Sequence, residues 1–235
     1  LPDREDDPRQ RNRRRVSQLT DPEANAKFLV PLDVNNDAQL DEVMAKVGAE
    51  FGKIDFLVHS VAYAKLEDLK ADTVNCSRDG FKLAMEISAY SLIALCRAAL
   101  PVLADNSSVV AMTYFGGEKA VPGYNVMGVC KAALDSIIKY LAYELGPRGI
   151  RVNAVSAGPI RTLAGHAAGV DDMLTLYSAM APLERNVTVD EVGRAAGFLL
   201  SDYGSGITGE LMHVDAGYNI MGSPGRLIDK YKSQT

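Results

Sequence analysis

The sequence has few cysteines, no long apolar run and only a small excess of charge. Its three cysteines, Cys76, Cys96 and Cys130, lack the paired spacing of a zinc site and cannot all pair with one another. A disulfide-stabilised domain is therefore not expected, and a reducing compartment is. No apolar stretch is long enough for a membrane-spanning helix. A net charge of −5 argues against general affinity for nucleic acid.

Metal-binding and nucleic-acid-binding patterns are also missing. His166 and His213 have no partners at the spacing of a metal ligand set, so we expect no metal. Five arginines lie in the run 9–15, but four acidic residues precede that run. We interpret residues 1–27 as a polar N-terminal segment with a solvated, mixed-charge face, and we expect no nucleic-acid partner.

A strand followed by a glycine-rich turn and a helix is absent before residue 28. From there on, short apolar runs alternate with long amphipathic ones. This alternation predicts one α/β domain over residues 1–235, with a doubly wound, mainly parallel sheet that carries helices on both faces. The predicted strands are 28–34, 54–60, 108–114, 151–156 and 210–214. The predicted helices are 37–51, 80–103, 124–145 and 189–201.

Residues 160–184 interrupt the alternation and contain Gly165, Gly169 and Pro182. A long irregular segment beside a ligand site often closes over the substrate. We therefore predict a mobile substrate-binding loop over 160–184, with its most mobile part at 163–180.

Ligands bind at the carboxyl ends of the strands in parallel sheets, so the residues that follow each strand are informative. Tyr124 and Lys131 come shortly after the third predicted strand and open a helix. Seven residues turn a helix about 700°, within roughly 20° of two full turns, which places both side chains on one face. The residues that end or directly follow the strands are Asp33, Val34, Ser60, Val61, Ala62, Thr113, Tyr114 and 157–160.

A phenol beside a fixed ammonium is a proton donor whose phenolate is stabilised. Such a pair suits a reaction in which an enolate or alkoxide must be stabilised and protonated. The spacing alone is weak, because Tyr63 and Lys70 repeat it by chance. The apolar strand, polar turn and long helix around Tyr124 and Lys131 distinguish that pair.

These residues resemble the short-chain dehydrogenase/reductase family, and more narrowly its NADH-dependent enoyl-acyl-carrier-protein reductases of fatty-acid synthesis. The ordinary family pattern is Tyr-x3-Lys, but here Gly128 occupies that position and Lys131 completes the Tyr-x6-Lys of the enoyl reductase branch. Tyr114 lies ten residues before Tyr124. The matching text is YNVMG at 124–128, RVNAVSAGPIRTLA at 151–164 and GELMHVDAGYNI at 209–220, and the likeness runs from about residue 28 to 221.

The resemblance implies three catalytic residues, Tyr124, Tyr114 and Lys131. Hydride would reach the β-carbon of an enoyl thioester while Tyr124 donates a hydrogen bond to the thioester oxygen. Lys131 would hold the nicotinamide ribose hydroxyls, and Ala64 would touch the acyl substrate together with Tyr124.

The resemblance also implies an NADH site, with NADPH left open. Asp33 would accept from the adenine amino group, Val34 would pack on the ring, and Ala62 stands where the family usually has glycine. The implied cofactor residues are Asp33, Val34, Ser60, Val61, Ala62, Lys131, Ile160, Arg161, Thr162, Leu163 and Ala164.

Further expectations follow from the same resemblance. The substrate partner would be an acyl carrier protein thioester, and the assembly a homotetramer. The reaction would take place in a bacterial cytoplasm, with a plastid as the other possible setting.

The resemblance stops before residue 28. The family's first strand, phosphate-binding turn, first helix and most of its second strand have no counterpart. In the family's strand order, 3-2-1-4-5-6-7, the two missing strands lie inside the sheet and would leave the strand at 28–34 without a neighbour. Three interpretations stay open: part of a longer protein, a fragment that folds only with the missing segment, or a relative that has lost cofactor binding. The alternative functions are another short-chain reductase acting on a ketone or alcohol, and an inactive, non-catalytic subunit.

Overall fold

Four parallel strands form the central sheet. A computed structural model of the protein describes residues 29–160 and 170–232. Every neighbouring pair of strands runs parallel, in the order β1-β2-β3-β4, which confirms the predicted parallel sheet. The strands are β1 (Ile54–His59), β2 (Leu103–Thr113), β3 (Arg151–Ala157) and β4 (Leu211–Val214).

Helices connect the strands and cover both faces of the sheet. Within residues 29–160 and 170–232, no helix is long and apolar enough to cross a membrane. A π-helical segment, Glu86–Tyr90, joins the third helix directly to the fourth. The helices are α1 (Asp37–Phe51), α2 (Leu66–Lys70), α3 (Arg78–Met85), α4 (Ser91–Ala99), α5 (Asn125–Leu145), α6 (Val170–Met180), α7 (Val189–Leu200) and α8 (Leu227–Lys232).

Alternating side chains give the sheet two separate cores. On one face, Val109 of β2 belongs to a buried cluster with Leu40 of α1 and Ile138 of α5. On the other face, Val110 of β2 belongs to a cluster with Leu199 of α7. Because successive strand residues point to opposite faces, both faces of β2 are buried, and its run 109–112 is continuously apolar.

One face of β1 is less well covered. Val58 pairs in register with Val110, yet it is 45% exposed, and Phe56 on the same face is 56% exposed. Helix α7 covers this side of the sheet by packing on β2, β3 and β4. The described part of the chain thus leaves two large apolar side chains of the edge strand in contact with solvent.

The predicted strand at 28–34 is wrong wherever it can be checked. Residues 29–34 form no strand, and Phe28 lies outside the described residues. A strand needs a neighbour for its backbone groups, and no described strand pairs with this segment. The run of arginines at 9–15 also lies outside the described residues.

Two boundaries near Pro101 were also predicted wrongly. The helix expected over 80–103 ends at Ala99, and β2 begins at Leu103 rather than at residue 108. The pairing of β1 with β2 shifts register between Ile54 and Phe56, and Asn106 has a φ of 66°. This irregularity places polar residues inside the strand. Because the strand was predicted from its apolar run, its first residues were not recognised.

The segment 160–184 is only partly irregular, because α6 occupies Val170–Met180. Tyr177 and Ala181 are buried four residues apart, which is the spacing of one helix face. The neighbouring glycines and proline had masked this short apolar stripe. Residues 161–169 lie outside the described residues, and the mobility expected over 163–180 stays a prediction.

Candidate active site

The carboxyl ends of β1, β2 and β3 meet at one edge of the sheet. His59 in β1 is the register partner of Ala111 in β2, and Thr113 in β2 is the partner of Ser156 in β3. The residues that follow these strands, including Tyr114, therefore begin at the same edge, as the sequence predicts.

Tyr124 is held at the start of α5 by unusual backbone on both sides. Gly123 has a φ of 83° and Asn125 a φ of 40°, so the chain turns sharply into the helix. The amide nitrogen Nδ2 of Asn125 donates to the carbonyl oxygens of Leu69 at 3.1 Å and Ala71 at 2.7 Å. This clamp ties the residue after Tyr124 to the segment around α2.

The rings of Tyr114 and Tyr124 touch edge to face, with centroids 4.6 Å apart at 67°. Glycine makes this approach possible, since a Cβ on Gly116 would lie 2.4 Å from Cδ1 of Tyr124. A Cβ on Gly128 would lie 2.8 Å from the carbonyl oxygen of Gly116. A lysine at position 128 would therefore displace the turn, and the lysine of this site comes three residues later.

Lys131 is a buried cation at this edge, with 6% of its surface exposed. Its Nζ donates to the carbonyl oxygen of Met112 at 2.7 Å. Among the described residues this is the only hydrogen bond of the ammonium, which has three N–H donors. Burial lowers the pKa of Lys131 to about 8, while Asp135 and Cys130 act in the opposite direction.

The predicted stabilisation of a Tyr124 phenolate is not found. Burial raises the pKa of Tyr124, Cys130 and Tyr177 raise it further, and Lys131 is not among the causes. Tyr124 therefore stays a neutral phenol near pH 7, suited to donating a hydrogen bond. Among the described residues its hydroxyl has no hydrogen-bond partner.

Asp135 is a buried site residue that the sequence reasoning missed. Its Oδ1 accepts from the hydroxyl of Thr113 at 2.5 Å, and its Oδ2 is buried without a described partner. Burial raises the pKa of Asp135, and the Thr113 hydrogen bond opposes that rise. The available signal was a carboxylate four residues after Lys131 on an otherwise apolar helix face.

Two further aromatic residues were missed. The hydroxyl of Tyr177 lies 2.5 Å from that of Tyr114, and the Tyr177 ring stacks on Tyr218 with centroids 3.6 Å apart. Nothing in the sequence pattern indicated these contacts, because Tyr177 lies in the segment expected to be irregular and 63 residues from Tyr114.

The predicted cofactor residues other than Lys131 are either exposed, partly buried or outside the described residues. Asp33 is exposed and its Oδ1 accepts from the Asn35 backbone N–H at 3.0 Å, while Asn36 caps α1. Val34, Val61 and Ile160 are partly buried and Ser60 and Ala62 are exposed. The residues outside the described ranges are Arg161, Thr162, Leu163 and Ala164.

Ala64, predicted to touch the substrate, does lie near Tyr124. Both residues pack against one buried cluster that includes Val126 and Cys130. The structure therefore brings this predicted substrate residue and a predicted catalytic residue to the same buried apolar cluster.

The unpaired polar groups at this edge fit a ligand rich in hydroxyls. Nδ1 of His59 and Oγ of Ser156 are buried without a described partner, at the carboxyl ends of β1 and β3. Lys131 has two N–H donors without a described acceptor. A nucleotide ribose would suit these groups. Within the described residues, no cluster of histidine, cysteine or carboxylate side chains could hold a metal ion.

A parallel sheet with a Tyr–Lys pair at its carboxyl edge defines a dinucleotide-dependent oxidoreductase of the short-chain type. The enoyl-(acyl carrier protein) reductase family model matches residues 6–219, so the likeness begins earlier than the expected start near residue 28. The chain belongs to this family.

Individual relatives agree with this assignment. The NADH-dependent enoyl-[acyl-carrier-protein] reductase of Synechocystis is 46% identical over 217 residues, which cover 92% of this chain and 84% of that protein. The Staphylococcus aureus relative, named for NADPH, is 47% identical over 205 residues, which cover 87% and 79%.

Solved structures show the same similarity. The Bacillus cereus enoyl-acyl carrier protein reductase, with NADP+ and indole naphthyridinone, superposes with a TM-score of 0.88 at 46% identity and covers 91% of this chain and 84% of that one. The Anaplasma phagocytophilum reductase in complex with NAD has a TM-score of 0.85 at 42% identity and covers 91% and 79%.

His59 is fixed as a neutral side chain at this edge. Ser91 donates its proton to the carbonyl oxygen of Ile87 at 2.6 Å, so Nε2 of His59 donates to Oγ of Ser91 at 2.8 Å. Burial, followed by the nearby charge of Lys131, lowers the pKa of His59 to about 4. Nδ1 is then the unprotonated nitrogen.

His59 should make the protein less stable in mild acid. The unfolded chain binds the imidazole proton below about pH 6.5, whereas the folded chain binds it only near pH 4. The contribution is therefore fully present above the unfolded pKa and is lost as the pH falls. Between pH 7 and pH 5 the free energy of unfolding should drop by about 2 kcal/mol through this residue.

Urea unfolding of the wild-type protein and of His59→Gln at pH 5, 6 and 7 measures this loss. We expect the variant to show a shallower decline. Equal declines in the two proteins would contradict the assignment.

Proposed function

We propose that this chain reduces the trans-2 double bond of an enoyl-acyl-carrier-protein thioester with NADH. The observation that supports this most strongly is the edge contact of Tyr114 with Tyr124 at the start of the helix that carries the buried Lys131. In a chain of the enoyl reductase family, this arrangement provides a neutral donor and a cation where an oxyanion would form.

NADH supplies the hydride that adds to the β-carbon of the enoyl chain. As it adds, negative charge collects on the thioester oxygen, and the Tyr124 hydroxyl donates a hydrogen bond to it. Because burial raises the pKa of Tyr124, the phenol keeps its proton while it stabilises the enolate. A proton from water then adds to the α-carbon and completes the reduction of the double bond. Tyr114 supports the position of this donor through their ring contact.

Lys131 binds the nicotinamide ribose in this proposal. Its bond to Met112 anchors the ammonium and leaves two N–H groups for the ribose hydroxyls. The positive charge also favours the developing oxyanion. Asp135, one turn further along α5, raises the pKa of Lys131 and so favours this charge.

The remaining cofactor contacts follow the strand ends. Asp33 would accept from the adenine amino group, Val34 would pack on its ring, and the turn at 60–62 would lie under the adenosine. Ile160 would bond the carboxamide and Thr162 would lie near the pyrophosphate. Arg161, Leu163 and Ala164 are proposed as further cofactor residues. We assign NADH, the cofactor named for the Synechocystis relative, although the Staphylococcus aureus relative is named for NADPH.

The substrate would reach the site between Ala64 and the segment 160–184, which contains α6. We infer one reductase domain over 1–235 and an acyl carrier protein as the partner that delivers the thioester. We also infer a cytoplasmic or plastid setting. Bacterial relatives and the free thiols of Cys76, Cys96 and Cys130 support this setting.

Tyr124→Phe tests the donor assignment. The variant keeps the ring and loses only the hydroxyl, so kcat should fall by about 10²–10³-fold with little change in NADH affinity, as for loss of an oxyanion donor. The exposed Tyr203→Phe is the matched control and should retain wild-type activity.

The assay compares an enoyl thioester with a β-ketoacyl thioester, both carried by an acyl carrier protein. Faster turnover of the ketoacyl substrate would overturn the proposed reaction. Full activity of Tyr124→Phe would overturn the assigned donor.

Cofactor binding should weaken above the pKa of Lys131. Below about pH 8 the ammonium is charged and donates. Above that pH the neutral amine loses this charge, so the NADH dissociation constant should rise about tenfold between pH 7 and pH 9. Fluorescence titration of NADH at several pH values measures the change.

Two lysine variants give the controls for this titration. Lys131→Met should bind NADH weakly and lose the pH dependence. Lys70→Met, which alters the chance Tyr–Lys spacing, should keep wild-type behaviour. If the NADH dissociation constant still depended on pH in Lys131→Met, another titrating group would be responsible and the prediction would be wrong.

The proposed homotetramer is supported by exposed apolar side chains on α3, the π-helical segment and α5. Tyr140 of α5 is 68% exposed, and an apolar groove of about 470 Å³ lies between α5 and the π-helical segment. Burying such a surface against a second copy would be favourable. The exposed residues are Phe81, Tyr90, Val129, Tyr140 and Tyr143, and the groove is lined by Met85, Glu86, Ala89, Tyr90, Ile93 and Ile137.

Sedimentation should give the wild-type protein a mass about four times its 25.3 kDa. Tyr140→Glu places a charge on the proposed interface and should yield smaller species, whereas Tyr203→Glu, at a still more exposed tyrosine, should not. A monomeric wild-type protein would refute the tetramer.

A further inference from the structure

We propose that Tyr177 is a positioning residue for the reaction, acting on Tyr114 and through it on Tyr124. The proposal extends the proposed function, because it presupposes the roles given there to the two site tyrosines. It makes α6 part of the machinery that orients the donor, in addition to any contact this helix makes with substrate.

The first observation is the direct contact between the two hydroxyls. The oxygens of Tyr114 and Tyr177 lie 2.5 Å apart, and the two residues are only 8% and 3% exposed. Either hydroxyl can be the donor. Burial raises the pKa of both phenols, so each keeps its proton near pH 7.

One proton bridges the two oxygens, and the other remains free to point elsewhere. When Tyr177 donates, the Tyr114 O–H is released toward the site. When Tyr177 accepts, the Tyr114 proton is occupied. Tyr177 thereby controls whether Tyr114 is available as a donor.

The second observation is that Tyr177 is itself held firmly. Its ring stacks on Tyr218 with centroids 3.6 Å apart and planes at 13°. Tyr218 begins a short 3-10 turn after Gly217, whose φ is 85°. The Asp215 carboxylate accepts from the backbone N–H groups of Gly217 at 3.0 Å and Asn219 at 2.8 Å. The turn that carries Tyr218 is therefore rigid.

Further ring contacts connect Tyr218 and Tyr114 to the proposed donor, Tyr124. Phe115, the residue after Tyr114, meets Tyr218 edge to face with centroids 5.9 Å apart. The ring centroids of Tyr114 and Tyr124 lie 4.6 Å apart. A shift of the Tyr114 ring would therefore displace the ring of the proposed hydrogen-bond donor. The aromatic column Tyr124–Tyr114–Tyr177–Tyr218 links α5, the turn after β2, α6 and the turn after β4.

The alternative is that Tyr177 only fills space in the core. Phenylalanine would then serve equally well, because it keeps the ring and the stacking on Tyr218. The Tyr177→Phe variant separates the two roles, since it removes only the oxygen that meets Tyr114. A thermal midpoint close to that of the wild-type protein establishes that it folds.

We expect Tyr177→Phe to lower kcat for the enoyl thioester about tenfold, the loss that corresponds to one neutral hydrogen bond. The KM for NADH should stay unchanged, since Tyr177 contacts Tyr114 rather than the cofactor residues. In a Tyr114→Phe background the same substitution should have no further effect on kcat, because its target hydroxyl is already gone. Tyr203→Phe is the matched control. Wild-type kcat in Tyr177→Phe, or effects that add in the double variant, would overturn the proposal.

A second readout does not depend on activity. In protein labelled with 3-fluorotyrosine, the fluorine resonance lost in Tyr114→Phe identifies Tyr114. That resonance should shift in Tyr177→Phe and stay in place in Tyr203→Phe. An unchanged Tyr114 resonance would overturn the positioning role even in a fully active enzyme. A shifted resonance in a protein that does not reduce enoyl thioesters would refute the proposed function and leave the positioning role standing.

Discussion

The parallel pairing of β2 with β1 and β3 is the constraint on which the rest of the structure depends. Parallel ladders align the carboxyl ends of successive strands, so residues far apart in sequence emerge at one edge. His59, Thr113 and Ser156 reach that edge from three separate strands. The two hydrophobic cores, one on each face, hold the ladder in this register, because a slip of one residue would turn every buried side chain of β2 to the wrong face.

Close packing then sets the chemistry at this edge. The turn after β2 approaches α5 so closely that Gly116 and Gly128 leave no room for side chains. Lys131 consequently enters from the next turn of the helix and is buried against the Met112 carbonyl oxygen. Burial shifts the pKa of Lys131 and that of Tyr124 in opposite directions, because it disfavours the charged form of each group. It makes the lysine easier to deprotonate and the Tyr124 phenol harder to ionise.

The aromatic residues connect this edge to segments later in the chain. Tyr177 on α6 and Tyr218 after β4 meet Tyr114 through a hydroxyl contact and a stacked ring. These contacts join residues that are far apart in the sequence. Apolar periodicity describes only neighbouring residues, so it could not predict which of these distant residues meet. The same limit explains the missed helix α6, because nearby glycines and a proline outweighed the buried pair formed by Tyr177 and by Ala181 just after the helix.

The sequence by itself determined the sheet class, the bounds of α1, α5 and α7 to within one residue, and the Tyr124–Lys131 pair, because apolar periodicity and spacing are local properties of the chain. It also indicated Ala64 and Tyr114, through the resemblance of the sequence to the enoyl reductases. Tertiary structure decided what burial did to these groups, since desolvation depends on neighbours from other strands and helices. It also decided that residues 29–34 form no strand, for a strand exists only where a partner offers hydrogen bonds. For the same reason Asp135 and Tyr177 became visible as parts of the site only once the fold had brought Thr113 and Tyr114 to them.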